Sequence, residues 1–141
     1  MIERPTRSWR RRVATQEAAV AAGELNPAQA YAAELWPADF IAAVDAVLDA
    51  YEHDVATLNP AAPNPAADDP AADDAVWAAI ERVVLGLNAA DESHGAIETG
   101  EREELAEYVD AVLTDAGVDV TALTARRGID RAELTDSWRD W

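Results

Sequence analysis

Apolar residues recur at steps of three and four from position 40 to position 58, and no stretch of the chain alternates convincingly with period two. Phe40, Ile41, Val44, Val47, Leu48, Tyr51, Val55 and Leu58 lie on one stripe of a helix. The stripe follows Trp36 and Pro37, and proline suits a first helical turn because its missing N–H has no intrahelical partner there. Asn59 and Pro60 end it. The polar side of the same helix carries Asp45, Asp49, Glu52 and Asp54 with no basic residue at i±3 or i±4, so packing rather than local ion pairing must hold it. The pattern predicts an all-α fold.

Further helices follow from similar signals. Upstream, Thr15 can cap an Ala-rich segment that Gly23 ends, and Asn26 with Pro27 can start another. Val76, Trp77, Ile80, Val83, Val84 and Leu87 predict a second strong helix capped by Asp74. Gly86 inside it costs about 1 kcal/mol relative to Ala, which suggests close packing against a neighbour. A turn is expected through the segment NAADESHGAIETG. Thr99 then caps a helix carrying Leu105, Tyr108, Val109, Val112 and Leu113, and Gly117 ends it. Asp119 or Thr121 opens a short helix ending at Gly128. Asp130 and Glu133 have capping-box spacing, and Leu134, Trp138 and Trp141 follow at i, i+4 and i+7. That spacing predicts a docked final helix with Trp138 as its anchor.

Between the two strong helices, Pro60, Pro63, Pro65 and Pro70 stand in a Pro/Ala/Asp-rich connection. The expected organisation is a small bundle of about five to six helices in one domain, residues 15–141, with a Pro-rich loop or linker at 59–73. Residues 1–14 form a basic arm that could bind an acidic partner or fold back over the protein's own surface; as an unanchored terminus it is expected to be mobile and little involved in stability.

Charge narrows the class of function. Among 141 residues there are 28 Asp and Glu but only 11 basic residues, all Arg, for a net charge of −17. Val13 to Glu81 contains no Lys or Arg and thirteen acids. Five of the Arg (Arg4, Arg7, Arg10, Arg11 and Arg12) crowd the arm. A single-sign field of this kind repels nucleic acid and anionic membrane and speeds encounter with basic partners. The absence of Lys alongside abundant Ala also fits a high-GC or salt-adapted host, in which acidity need not be functional. With no Cys, there is no disulfide, thiolate metal site or Cys nucleophile. SWRRRVAT lacks the long uncharged core an export signal needs, and no apolar run approaches a membrane span. A soluble cytoplasmic protein is expected.

Chemistry-bearing patterns are sparse. Asp91, Glu92, His94 and Glu98 mix carboxylates with an imidazole and are candidate divalent-metal ligands. Read as a calcium loop from Asp91, the sixth position is Ala96 rather than Gly and the twelfth Arg102 rather than Glu. Glu104, Glu107 and Asp110 have the spacing of the first motif of all-α nucleotide pyrophosphohydrolases, but they lie opposite the Leu105, Val109 and Val112 stripe and a second acidic motif is missing. His53, between Glu52 and Asp54, reads as a surface residue. Neither a nucleophile elbow nor a Gly-rich phosphate cradle is present. Trp9, flanked by Arg7 and Arg10, has the composition of an interaction anchor.

The stretch GAIETGEREELAEYVDAVL through ELTDSWRDW resembles uncharacterised small acidic proteins of actinobacteria, over residues 74–141. The resemblance implies a bacterial host and carries no activity or residue role. The expected function is an acidic helical protein-binding module, immunity- or antitoxin-like or a nucleic-acid mimic, that blocks a basic protein. Its partner-binding residues are Asp45, Asp49, Glu52, Asp54 and Trp9, and it needs no cofactor. The alternatives are a metal-dependent hydrolase and a structural domain whose acidity reflects the host.

Overall fold

The computed structural model describes residues 2–58 and 70–141. Among these it is all-α, with six helices and two 3-10 turns and no strand. In order they are α1 (Pro5–Ala21), a 3-10 turn (Pro27–Gln29), α2 (Ala32–Leu35), α3 (Ala38–Thr57), α4 (Pro70–His94), α5 (Thr99–Asp115), α6 (Val120–Arg126) and a second 3-10 turn (Arg131–Glu133).

The stripe on α3 is the centre of the core. Phe40, Val44 and Leu48 are fully buried, as are Ile80, Val84 and Leu87 on α4 and Leu105, Val109 and Leu113 on α5. α3 and α4 run antiparallel and make the most extensive contact. Gly86 explains how they come so close, since a Cβ there would lie 2.8 Å from Cγ1 of Val47. The Tyr51 hydroxyl ties α3 to α5 by donating to the Val109 carbonyl at 2.7 Å, and burial raises its pKa. Gly117, at φ 93°, ends α5 in the left-handed position expected of it.

Thr15 lies inside α1 (Pro5–Ala21) rather than capping a helix, and four larger expectations need correction. The N-terminal arm is not a loose tail. Pro5, in the first turn, starts a 17-residue helix whose Thr6 and Trp9 are buried, because an indole and a hydroxyl from this segment complete the α3–α5 core. Helix α4 begins at Pro70 rather than at Asp74, so the residues 70–73 assigned to the Pro-rich connection are helical, while residues 59–69 lie outside the described residues. Proline is admissible there because a first turn needs no N–H from it. The same helix continues through Asp91, Glu92 and His94, which the sequence placed in a loop.

The fourth correction concerns the C-terminus. The capping box between Asp130 and Glu133 is present, yet it opens a single 3-10 turn rather than a helix. Asn88 supplies the reason. Its amide donates to the Trp138 carbonyl at 2.7 Å and its oxygen accepts from the Asp140 N–H at 2.9 Å, so a side chain on α4 pins the segment and takes an N–H that a helix would have paired internally. The segment is docked nonetheless. Trp141 is 5% exposed and Leu134 3%, whereas Trp138 is only half-buried against Trp77. Trp141, not Trp138, is the deeper anchor.

Candidate functional site

Arginine placement decides which acids are available to a partner. Arg4, just ahead of α1, reaches Asp45, Asp49 and Glu52 on α3, with Asp49 at 2.5 Å. Arg10 pairs with Asp45 at 2.5 Å and Arg82 of α4 with Asp54 at 2.8 Å. Four acids on the polar side of α3 therefore face three guanidinium groups. Burial alone would raise the Asp45 pKa, but the Thr6 hydroxyl at 2.6 Å together with Arg10 and Arg4 outweighs it and holds the carboxyl below its ordinary value. Burial likewise opposes the charge on Arg4, and its hydrogen bonds to Asp49 and Glu52 more than compensate. The acids expected to bind a partner, Asp45, Asp49, Glu52 and Asp54, are thus engaged within the chain, and three of the four are clamped by Arg4, just ahead of α1. The sequence showed no local ion pairs on α3. The pairs come instead from 28 to 48 positions away.

Trp9 is likewise not an exposed anchor. It is 0% exposed and lies stacked between Trp36 at 6.1 Å and Phe40 at 5.6 Å, with its indole N–H donating to Glu104 at 3.1 Å. The Trp36 N–H donates to the buried Glu101 at 3.0 Å, and the Arg12 guanidinium sits 4.4 Å above the Trp36 ring. His94 meets Phe40 edge-on at 5.7 Å. This aromatic cluster gathers α1, α2, the start of α3, the end of α4 and the start of α5 at one end of the bundle.

Around that end stand Glu34, Asp39, Glu92, Glu98 and Glu103, all exposed, and no ion pair among the described residues reaches them. Glu17 and Glu24, on and just beyond α1, are also exposed and without an ion-pair partner among the described residues. Asp39, Glu98 and Glu103 lie at or near helix N-termini, where the dipole favours them. Glu92 does not, since it occupies the last two turns of α4, where the dipole disfavours an anion. Fold stability gives no reason for its charge.

The metal candidates do not converge. Among the described residues no group of three or more His, Cys, Asp or Glu could hold a metal ion. Asp91 accepts from the Ile97 N–H at 2.9 Å, closing the turn between α4 and α5, and His94 lies on Phe40. In the Glu104, Glu107 and Asp110 set, Glu104 holds Trp9 and Asp110 forms a two-point pair with Arg131 at 2.5 and 2.7 Å. The Arg131 hydrogen bond, against burial and with Thr114 assisting, lowers the Asp110 pKa. Glu107 faces solvent as expected. His53 is exposed.

Tyr31 and Leu35 are the apolar members of this end. They are 52% and 41% exposed, and with Leu85 they are the large hydrophobic side chains left in water among the described residues. Sequence reading passed over them because neither belongs to a helical stripe. No described helix is long and apolar enough to cross a membrane. No protein-family model matches the chain, and no curated protein or solved structure matches it either.

Proposed function

We propose that this chain is an acidic protein-binding module that engages a basic protein, in the manner of an immunity or antitoxin-like protein that blocks a cationic partner. One observation carries the reading. Arg4, Arg10 and Arg82 are engaged by the acids of α3, whereas Glu34, Asp39, Glu92, Glu98 and Glu103 keep exposed charges without an ion pair among the described residues at a bundle end that also exposes Tyr31 and Leu35. Apolar anchors within an unpaired charged rim are the anatomy of a protein interface. The charges would set the encounter rate and exclude anionic competitors.

The test is calorimetric titration with a helical Lys- and Leu-rich peptide at low and at moderate salt, with a Glu- and Leu-rich peptide of equal length as control. Exposed pairs are screened over a Debye length of about 10 Å at 0.1 M salt, so affinity for the basic peptide should fall steeply as salt rises. Binding indifferent to salt, or equal binding of the acidic control, refutes the proposal.

A further inference from the structure

The second half of α1 and the segment leading into α2 enclose an open cleft of about 260 Å³. Val13, Gln16 and Val20 form one wall, and Pro27, Ala30 and Ala33 the other. The walls are fixed to one another, because the Gln16 side chain accepts from the Ala32 N–H at 2.7 Å and Asn26 caps the 3-10 turn through the Ala28 N–H at 3.0 Å. The floor is therefore preorganised rather than a gap between loose segments. The lining is mostly apolar, and its volume is below the roughly 300–1,000 Å³ of small-molecule sites, which suits one or two protein side chains better than a cofactor.

Chemistry around the cleft selects the occupant. Glu17 lines it, Glu24 lies on the turn leaving α1, and Glu34 follows Ala33 directly; none is engaged in an ion pair among the described residues. Tyr31 and Leu35 flank Ala33 in sequence and are exposed. An apolar slot beside two exposed hydrophobic residues and bordered by three acids is complementary to an amphipathic segment whose apolar residues alternate with Lys or Arg. An anionic ligand would be repelled by these three carboxylates.

We infer that this cleft is the docking site for a basic amphipathic segment of the partner protein, which places an aliphatic or aromatic side chain between Val20 and Ala33 and its cations on Glu17, Glu24 and Glu34. The inference rests on the acidic-module reading and specifies its surface. It also separates the cleft from the other acidic rim, formed by Glu92, Glu98 and Glu103 at the α4–α5 corner.

The probe is the same Lys- and Leu-rich peptide, titrated into the full chain at low salt. Ala33→Arg puts a cation at the wall of the slot at an exposed position, and Tyr31→Ser with Leu35→Ser removes the flanking hydrophobics; far-UV circular dichroism checks that each variant keeps its helices. Ala33→Arg should weaken binding about tenfold or more, and the double Ser variant by a similar factor, as interface hot spots do. The variant Glu92→Gln/Glu98→Gln/Glu103→Gln removes three charges that do not line the cleft and should weaken binding less than either. If the cleft variants bind like the parent and the Gln variant is the weak one, the docking site is wrong while the acidic-module reading stands. If the parent chain fails to bind the peptide at all, both fall. A parent chain that sediments as a dimer and becomes monomeric with Ala33→Arg would assign the cleft to a second copy of this chain and overturn the inference.

Discussion

Replacing Trp9 by Ala tests whether α1 belongs to the core, and the structure sets the size of the effect. The side chain is fully buried, stacks on both Trp36 and Phe40, and donates to Glu104. Truncating a buried Trp or Phe to Ala costs about 3–5 kcal/mol, and each favourable aromatic pair adds about 0.5–1.5 kcal/mol beyond burial. Glu104 is half-exposed and can rehydrate, so the lost hydrogen bond adds little. The expected cost is about 4–5 kcal/mol, a large part of the 5–15 kcal/mol typical of a domain. With a urea slope of about 1–3 kcal/mol/M, the midpoint should fall by roughly 2 M. Urea unfolding followed by far-UV circular dichroism is the suitable assay, since tryptophan fluorescence would be altered by the substitution itself. Trp9→Phe keeps one aromatic ring but loses the fused pyrrole ring and the donor, so it should recover part of the loss. A Trp9→Ala midpoint equal to the parent's, at unchanged slope, would falsify the docked position of α1 and restore the mobile arm expected from sequence.

Other perturbations have equally definite outcomes. Gly86→Ala should gain about 1 kcal/mol of helix propensity but lose more, because its Cβ meets the stiff, β-branched Val47. The net loss of about 1–3 kcal/mol by denaturation should shrink in a Val47→Ala background. Trp141→Ala should destabilise by about 3–5 kcal/mol, and the half-buried Trp138→Ala by on the order of half as much. Asp45 has a folded-state pKa below its ordinary 3.8, so its contribution is complete above that value and is lost as pH falls through the lower folded pKa. The stability difference between the parent and Asp45→Asn should therefore be constant from pH 7 to pH 5 and diminish below about pH 4, when measured by thermal unfolding.

The helices of the core were legible because their stripes are long and their neighbours few in kind. Phe40 to Val55 and Val76 to Leu87 follow a single period, and burial follows that period directly. Gly86 was also legible, as a propensity violation that close packing repays. Trp9 was not, since its neighbours Arg7 and Arg10 obscure the apolar face and its contacts are made by residues 27 or more positions away. Helix ends failed for a related reason. The C-terminal segment is decided by what lies opposite it, and the Asn88 clamp on Trp138 and Asp140 has no local signature. The site suffered most, because a run of acids reveals the charge of a helix face but not which guanidinium groups will reach it.

That last point also bears on the origin of the acidity. Generic host adaptation would be expected to spread unpaired carboxylates over every surface, in proportion to exposure. In this fold exposed carboxylates without an ion pair among the described residues do stand on several elements, Asp74, Glu107, Asp115 and Asp140 among them, but the α3 face, the most acidic stretch of the Arg-free block among the described residues, is the face that Arg4, Arg10 and Arg82 cover. Glu92 retains a charge in the final turns of α4 that the helix dipole opposes, and Tyr31 and Leu35 remain in water beside Glu34. A local rule broken without a stabilising return is expected at functional positions. If adaptation alone were responsible, Glu92→Lys should stabilise the chain by about 0.3–1 kcal/mol through the dipole and leave binding of a basic peptide unchanged. The binding-module reading predicts the same gain in stability together with weaker peptide binding, so the two explanations separate on one variant measured two ways.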